Sequence, residues 1–300
     1  MNAALSLAAT HTESASDSIV IVVAGDLLLD RGVRPVVERR GVAWLFEGVS
    51  KEFSDADAVI VNLECPLTDV STPLVKKFIF RADTRWAKGL RAAGVTHASM
   101  ANNHSNDQGF QGLASTYKTL TEAGIVPVGT SKDNTPQLIT SKSKGNTNKQ
   151  TVAVFAAVLF PLENWSANSR ASVRPKQVSV ETLAKEISEY KNSHPNDVVM
   201  AVLHWGVEFQ QSPSPKQRLQ AQMLVSAGAD VIVGHHPHVL QPKSQILGKP
   251  VFFSLGNFIF DQHAAIARRG ALARIVIRPD TITSELREYD IIGCRPVIRK

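Results

Sequence analysis

The sequence lacks the features that identify several common classes of protein. It has two cysteines in 300 residues, Cys65 and Cys294, which is too few for a disulfide framework or a thiolate zinc site. No apolar run approaches the roughly 20 residues that span a bilayer. Neither a G-x-S-x-G nucleophile elbow nor a Walker-type phosphate loop occurs. Serine-hydrolase and nucleoside-triphosphatase mechanisms therefore have no motif to support them.

Dense blocks of one charge are also missing. The formal net charge is +6, and the nearest approaches to a basic cluster are pairs such as Arg39-Arg40 and Arg268-Arg269. A mildly basic surface suits an anionic substrate, although scattered solvated charges would give the same total. No helix-turn-helix, zinc-finger or RNA-binding signature is present, so we expect no nucleic-acid partner.

The first 18 residues carry little that predicts structure. Their apolar segment is shorter than the about 7–15 residues of a signal-peptide core, and no positively charged stretch precedes it. We therefore predict a disordered tail over residues 1–18, one folded domain over residues 19–300, and a cytoplasmic location without a membrane span.

Strand-like and helix-like segments alternate along the rest of the chain, which predicts an α/β fold. Strands are predicted over 19–24, 58–61, 96–100, 151–159, 198–203, 230–233, 251–255 and 273–277, with an edge strand after the last. Helices are predicted over 33–53 (broken near Gly41), 85–93, 111–123, 178–190 and 217–227, and glycines follow the second, third and fifth. The polar stretch 131–150 predicts a surface loop.

Six of the apolar runs end on polar residues of metal-binding types. These residues are Asp26, then Asn62 and Glu64, then Asn102, Asn103 and His104, then His204, then His235, His236 and His238, and finally Asn257. In sheet-based α/β folds, ligands bind at the carboxyl ends of strands. Asp, Glu, Asn and His together form an oxygen and imidazole set that suits divalent metals.

The His-His-Pro-His segment is the strongest of these fragments. Three imidazoles in four residues are difficult to explain structurally, because below pH about 6.5 they would place positive charges together. Coordination removes that problem, since a ligated imidazole is neutral. His236 and His238 alternate by two and are predicted to face one site, while His235 faces elsewhere and Pro237 stiffens the loop.

Each of the other fragments has an ordinary structural explanation when it is taken alone. Asp26 is compatible with a turn cap and Glu64 with a surface carboxylate. His204 is compatible with a buried core imidazole, and the Asn-rich segment before His104 with a polar turn. Gly256-Asn257 fits a simple turn. Their occurrence together, at equivalent strand ends, is what favours a metal site.

Six motifs in order resemble one known family. They are GDLLLDRG, NLECPLT, ANNHSND, HWGVEF, GHHPHVLQP and FSLGNFIFD, from about residue 19 to residue 261. The set resembles the CapA family of bacterial capsule and poly-γ-glutamate synthesis proteins, which is similar to the calcineurin-like metallophosphoesterases. The resemblance implies a four-layer αββα sandwich and a site for one or two divalent ions (Mn, Zn or Fe) fed by strand-end loops.

The resemblance also implies roles for individual residues. The implied metal ligands are Asp26, Glu64, Asn103, His204, His236 and His238. His104 is implied to face the substrate as a catalytic acid, and Asn62 and Asn257 are predicted to contact the substrate.

Two positions depart from the metallophosphoesterase pattern. The residue two places after Asp26, usually a histidine, is Leu28, so one metal position lacks a ligand. Glu64 also stands where an aspartate is usual, which lengthens the reach of the bridging carboxylate.

Three hypotheses for function follow from these observations. The first is a metal-dependent hydrolase of an anionic substrate, either a phosphoester or a polyglutamate-type polymer, linked to capsule or poly-γ-glutamate biosynthesis. The second is a non-enzymatic accessory protein that binds an anionic polymer or a capsule synthase component, and Leu28 favours it modestly. The third is a degenerate fold with one structural metal.

Overall fold

Two β-sheets face each other, and helices cover their outer surfaces. The computed structural model describes residues 18–130, 135–141, 150–165 and 173–299, so the predicted tail at 1–18 lies outside the described residues apart from Ser18. Within these ranges the first sheet contains β1 (Ile19–Leu27), β2 (Ala58–Leu63), β3 (His97–Ser99), β4 (Val126–Val128), β11 (Asn257–Ile259), β12 (Arg269–Arg278), β13 (Thr281–Ile292) and β14 (Arg295–Ile298). The second contains β5 (Gln137–Thr140), β6 (Thr151–Val158), β7 (Val198–His204), β8 (Val231–His235), β9 (Lys243–Ile246) and β10 (Lys249–Phe252).

The helices form the two outer layers. They are α1 (Arg34–Arg40), α2 (Val42–Phe46), α3 (Trp86–Ala92), α4 (Gly109–Glu122), α5 (Val180–Ser193) and α6 (Pro215–Ser226), with 3₁₀ turns at Ser50–Phe53 and Ala265–Arg268. Within the described ranges we find no helix with the length and hydrophobicity that a bilayer crossing demands. A capping box starts α6, in which the Ser214 hydroxyl accepts from the Gln217 N–H and the Gln217 side chain accepts from the Ser214 N–H.

Three apolar cores separate the four layers. Alternate residues of β1 divide between two of them: Ile21 and Val23 pack between the sheets, whereas Val22 packs beneath the helices α1 to α4. In the same way, Met200 of β7 faces the other sheet, and Ala201 faces α5 and α6. Because both faces of these strands are buried, their sequences are continuously apolar. The predicted four-layer αββα sandwich is thereby confirmed.

The central strands of both sheets run parallel to their neighbours. The order of the first sheet is β14-β13-β12-β1-β2-β3-β4, with β11 also paired to β1, and the order of the second is β5-β6-β7-β8-β10-β9. The pairs β1-β2, β2-β3, β6-β7 and β7-β8 are all parallel. The carboxyl ends of β1, β2 and β3 therefore lie at one edge of the first sheet, and those of β7 and β8 lie at one edge of the second.

Most predicted elements exist, with ends that shift by a few residues. The helix stops predicted at glycines are confirmed, for example at Gly124 and Gly228, whose φ angles are 75° and 113°. The prediction of a loop over 131–150 is wrong at β5 (Gln137–Thr140), which pairs antiparallel with β6. Residues 131–134 and 142–149 of the predicted loop lie outside the described residues. Only Ile139 of β5 is buried, so this short edge strand has too little apolar alternation to stand out among polar neighbours.

The carboxylate of Asp230, just before β8, links α5, β7 and β10 through hydrogen bonds. Asp230 accepts hydrogen bonds from the Lys249 ammonium at 2.8 Å, from the Val199 N–H at 3.0 Å and from the Lys191 ammonium at 3.0 Å. Burial alone would raise the pKa of Asp230, but these three donors more than offset that effect and hold its pKa below the usual value.

We predict that Asp230→Asn lowers the free energy of unfolding by about 1–3 kcal/mol at pH 7, because two ammonium groups lose their counter-charge. A depressed native pKa contributes stability above the unfolded pKa of about 3.9. That contribution is lost as the pH falls through the native value, so the difference between wild type and variant should shrink below about pH 4.

Urea unfolding across a pH series measures this difference. Asp280→Asn is the matched control, because Asp280 is exposed in the turn before β13. Equal stability of Asp230→Asn and the control at pH 7 would show that the network contributes nothing measurable.

Candidate metal centre

Neighbouring strands of the first sheet carry two carboxylates to the same edge. Asp26 lies in β1 directly beside Asn62 of β2, and Glu64 follows the end of β2. The Glu64 N–H donates to the Leu27 carbonyl at 2.9 Å, which continues the pairing of the two strands past the end of β2. Both carboxylates are completely buried. A buried carboxylate needs a cation or hydrogen-bond donors to offset the loss of water.

A close approach of two backbone segments fixes the position of Asp26. Its N–H donates to the Gly256 carbonyl at 3.0 Å. A Cβ atom on the preceding residue, Gly25, would lie 2.0 Å from the same carbonyl oxygen, so only glycine fits there. The turn before β11 therefore packs directly against the end of β1.

The second sheet supplies the imidazoles. His204 ends β7 and pairs in register with His235, which ends β8. The loop that follows β8 carries His236 and His238 at φ angles of 98° and 58°, conformations that L-residues with side chains seldom adopt. Strained backbone of this kind persists where surrounding structure enforces it, and it concentrates at functional sites.

One group of candidate ligands consists of Glu64, His204 and His236. One ligand atom from each lies within 4.8 Å of the others, and His204 Nε2 is 3.6 Å from Glu64 Oε1. The Asn103 side-chain oxygen lies 2.8 Å from the same His204 Nε2. This group therefore has one carboxylate, two imidazoles and an amide oxygen.

A second group consists of Asp26, Glu64 and His238, under the same distance limit of 4.8 Å. His238 Nδ1 lies 3.2 Å from Asp26 Oδ2, and His238 Nε2 lies 3.7 Å from Glu64 Oε1. Glu64 belongs to both groups, so its carboxylate occupies the position that a bridging ligand requires. The ligands come from both sheets.

Several buried atoms of these residues make no well-formed hydrogen bond to any described residue. They are Asp26 Oδ2, both oxygens of Glu64, and His236 Nδ1. An unsatisfied buried polar atom is costly, and native proteins keep few of them. Oxygen and nitrogen donors left open around a shared centre match the requirements of a divalent cation, so the residues present fit a metal.

The pKa values of the site residues follow from burial and from one another. Burial, and then the charge of Asp26, raise the pKa of Glu64 well above its usual value. Burial lowers the pKa of His238, but the carboxylates of Glu64 and Asp26 more than offset this and raise it to about 10. Burial and the neighbouring His238 lower the pKa of His236 to about 3. A cation and the proton of His238 can each balance the same two carboxylates.

Leu28 occupies no place among the candidate ligands. It is fully buried in the core beneath the helices α1 to α4, and its N–H donates to the Ile259 carbonyl at 2.9 Å. Among the described residues, the Asp26 group therefore has three titratable donors and gains none at the position of the usual histidine.

His104 contacts a buried ion pair through one ring nitrogen. His104 Nδ1 lies 2.9 Å from Asp107 Oδ2, and the other oxygen of Asp107 is 2.5 Å from the ammonium of Lys76. Asp107 also accepts from the Phe80 N–H at 2.7 Å, and the ring of Phe80 lies 4.3 Å from that of His104. Burial lowers the pKa of His104 and Asp107 opposes this effect. The adjacent residues Asn103 and His104 thus have different partners: Asn103 contacts His204, and His104 contacts Asp107.

The amides of Asn62 and Asn257 brace the candidate ligands. Asn62 donates to Asp26 Oδ1 at 2.8 Å and lies 3.4 Å from His204 Nδ1. Asn257 Oδ1 is 2.9 Å from His238 Nδ1, and its amide group donates to the His238 carbonyl at 3.2 Å. Both side chains are buried in protein contacts. Their predicted contact with substrate stays a prediction, while these distances give both a positioning role.

Sequence reasoning missed three neighbours of the site. Phe160, just after β6, places its ring 4.6 Å from that of His236. Asp107 and Lys76 support His104. The position of Asp107 three residues after His104 could have indicated the pairing, whereas Lys76 lies in a distant loop and gives no local signal.

His235, predicted to face elsewhere, lies 3.0 Å from the Ala24 carbonyl through Nε2.

Known proteins resemble this chain over most of its length. The family model described as "Bacterial capsule synthesis protein PGA_cap" matches residues 20–262. "Capsule biosynthesis protein CapA" of Bacillus anthracis is 33% identical over 278 residues, which cover 89% of this chain and 66% of that protein. "PGA biosynthesis protein CapA" of Bacillus subtilis is 32% identical over 278 residues, covering 91% of this chain and 71% of that protein.

More distant relatives share less of the sequence. A "Probable polyglutamine synthesis accessory protein" of Mycobacterium tuberculosis is 24% identical over 291 residues and covers 82% of this chain and 75% of its own length. The crystal structure of TT1561 of Thermus thermophilus covers 89% of this chain and 98% of its own, at 8% identity and a TM-score of 0.46. The family model and the two Bacillus relatives agree, and the chain belongs to the PGA_cap family of bacterial capsule synthesis proteins.

Proposed function

We propose that this chain is a metal-dependent hydrolase that acts on an anionic substrate in capsule or poly-γ-glutamate synthesis. The observation that carries the proposal is the buried Glu64 carboxylate. Both of its oxygens lack hydrogen-bond partners within the described part of the chain, and the carboxylate is shared by two groups of candidate metal ligands. The Bacillus relatives, named for capsule and PGA biosynthesis, support the assignment to this pathway.

The two candidate cation positions differ in composition. Glu64, His204, His236 and Asn103 offer four donors, two of them imidazoles, and this set suits Zn, Mn or Fe. Asp26, Glu64 and His238 offer three donors, two of them carboxylates. Because Leu28 adds no ligand to the second set, we expect the first position to bind its ion more tightly.

A divalent cation bound here would supply Lewis acidity toward a phosphoryl or carbonyl oxygen of the substrate. The chain's own residues supply proton transfer and orientation. Asp107 accepts at His104 Nδ1, so Nε2 is the nitrogen left to exchange a proton with the substrate. The ion pair with Lys76 holds Asp107 in place. His104 therefore has the arrangement of a proton-transfer group: Nε2 accepts a proton when the ring is neutral and donates one to the leaving group when the ring is an imidazolium.

A second candidate function is that of a non-catalytic accessory protein that binds an anionic polymer or a synthase component. The burial of Leu28 in the helix core favours it, since one position is short of a ligand. The name of the mycobacterial relative also contains the word accessory. The matched region covers 66% of the Bacillus anthracis protein, so the activity of that whole protein is carried over only as a proposal.

We predict that His204→Ala and Glu64→Gln lower the metal content of purified protein, because the first removes a donor from the four-donor position and the second removes the negative charge of its carboxylate. Elemental analysis after loading with Mn²⁺ or Zn²⁺ and desalting measures this content. His194→Ala is the matched control, because His194 is exposed at the end of α5 and stacks on Tyr190. Unchanged metal content in both site variants would contradict the proposed ligands.

We predict that His104→Ala keeps its metal and lowers turnover by about 10²–10⁴-fold, the usual contribution of an acid-base group. Hydrolysis of an alkyl phosphodiester and of poly-γ-glutamate by the metal-loaded protein is the assay, because neither leaving group departs readily without a proton. Full activity in His104→Ala would remove its assigned role.

The same assay separates the two candidate functions. Metal-loaded wild type that cleaves neither compound but binds poly-γ-glutamate supports the accessory function, provided that binding survives a chelator and the His236→Ala change. If chelation lowers the melting temperature and affects neither binding nor cleavage, the metal is purely structural.

A further inference from the structure

One arginine lies between the two halves of the candidate site. The guanidinium carbon of Arg31 is 5.4 Å from the centre of the Phe80 ring and 5.5 Å from that of Phe260. The Phe80 ring lies 4.3 Å from the ring of His104, and the Phe260 ring lies 5.0 Å from that of His238. Arg31 is therefore one aromatic ring away from the candidate acid and one away from a candidate metal ligand.

The structure holds this guanidinium in a fixed orientation. Asp261 Oδ1 and Oδ2 each lie 3.1 Å from Arg31 Nε, and Asp261 also accepts from Nη2. The next N–H, from Gly32, donates to Asp261 Oδ2 at 2.9 Å. Arg31 itself has a φ of 52°, a left-handed conformation that is uncommon for a residue with a side chain. Flanking rings stabilise the cation further.

Part of the guanidinium remains available. Asp261 occupies the Nε and Nη2 donors, and Nη1 has no hydrogen-bond acceptor among the described residues. The Arg31 side chain is 34% exposed, whereas the neighbouring Lys76 is 2% exposed and is used by Asp107. Arg31 thus combines a fixed position, spare N–H donors and access to solvent beside the candidate catalytic groups.

We propose that Arg31 binds an oxyanion of the substrate, a phosphate or carboxylate oxygen, and so aligns the scissile group with His104. This inference extends the proposed function and depends on it, because the oxyanion belongs to the substrate of the proposed hydrolase. Because Asp261 balances the charge of Arg31, the binding depends on directed N–H donors more than on net charge. Lysine, which lacks the planar fork, does not replace arginine at such a site.

The test measures binding of two probes by isothermal titration calorimetry, inorganic phosphate and tri-γ-glutamate, to metal-loaded protein and to chelator-treated protein. Losing a charge-assisted hydrogen bond weakens binding by about 10–100-fold. We expect Arg31→Gln and Arg31→Lys both to show this loss for at least one probe. The probe that responds distinguishes a phosphate site from a carboxylate site. Lys77→Gln is the control, because Lys77 is exposed in the same segment as Phe80. Its replacement removes one positive charge, as Arg31→Gln does.

Metal content measured on the same samples separates the two proposals. Arg31→Gln with wild-type metal content and wild-type affinity for both probes overturns the role of Arg31 and leaves the metal site intact. Equal losses in Arg31→Gln and Lys77→Gln overturn it as well, since net charge alone would then explain binding. A wild type without metal contradicts the proposed function, and the comparison of Arg31→Gln with Lys77→Gln in that protein still decides the role of Arg31.

Discussion

The geometry of this site depends on the burial of the Glu64 carboxylate. Neither of its oxygens accepts a hydrogen bond from the residues that the structure describes, and the carboxylate groups with Asp26 and His238 and also with His204 and His236. Isolated burial of a carboxylate is strongly unfavourable, and the Asp26 charge makes it more so. Positive charge is therefore needed beside the Glu64 and Asp26 carboxylates. Either a proton on His238 or a divalent cation can carry it.

Such a set is stable only if the two sheets are held together by other interactions. The carboxylates belong to the first sheet and the imidazoles to the second, so no single element can assemble the site. The apolar core between the sheets, with residues such as Ile21 and Met200, fixes their separation. Its burial of apolar surface offsets the unfavourable electrostatics at the edge. The short distance between His235 Nε2 and the Ala24 carbonyl adds a polar tie at the same edge.

The sequence could predict which strand ends carry the site, because parallel strands place their carboxyl ends at one edge and the apolar runs mark those ends. Glu64 and the two histidines flanking Pro237 were identifiable in this way. The roles of Asn62 and Asn257 were not identifiable from the sequence. An amide at a strand end gives no signal of whether it contacts substrate or supports a neighbouring side chain. The ion pair of Lys76 with Asp107 could not be predicted either, because the two residues are distant in sequence.

Leu28 stands where the metallophosphoesterase pattern that this sequence resembles has a histidine ligand. Its side chain packs into the core beneath the helices. Among the described residues, Asp26, Glu64 and His238 still form a candidate group without a ligand at position 28, so the missing donor concerns one candidate cation position alone. The neighbouring Arg31 follows in the same segment and approaches the same edge. Under the proposed function, this segment offers a cationic donor at Arg31 three residues after Leu28, so part of the positive charge facing an anionic substrate would come from a side chain.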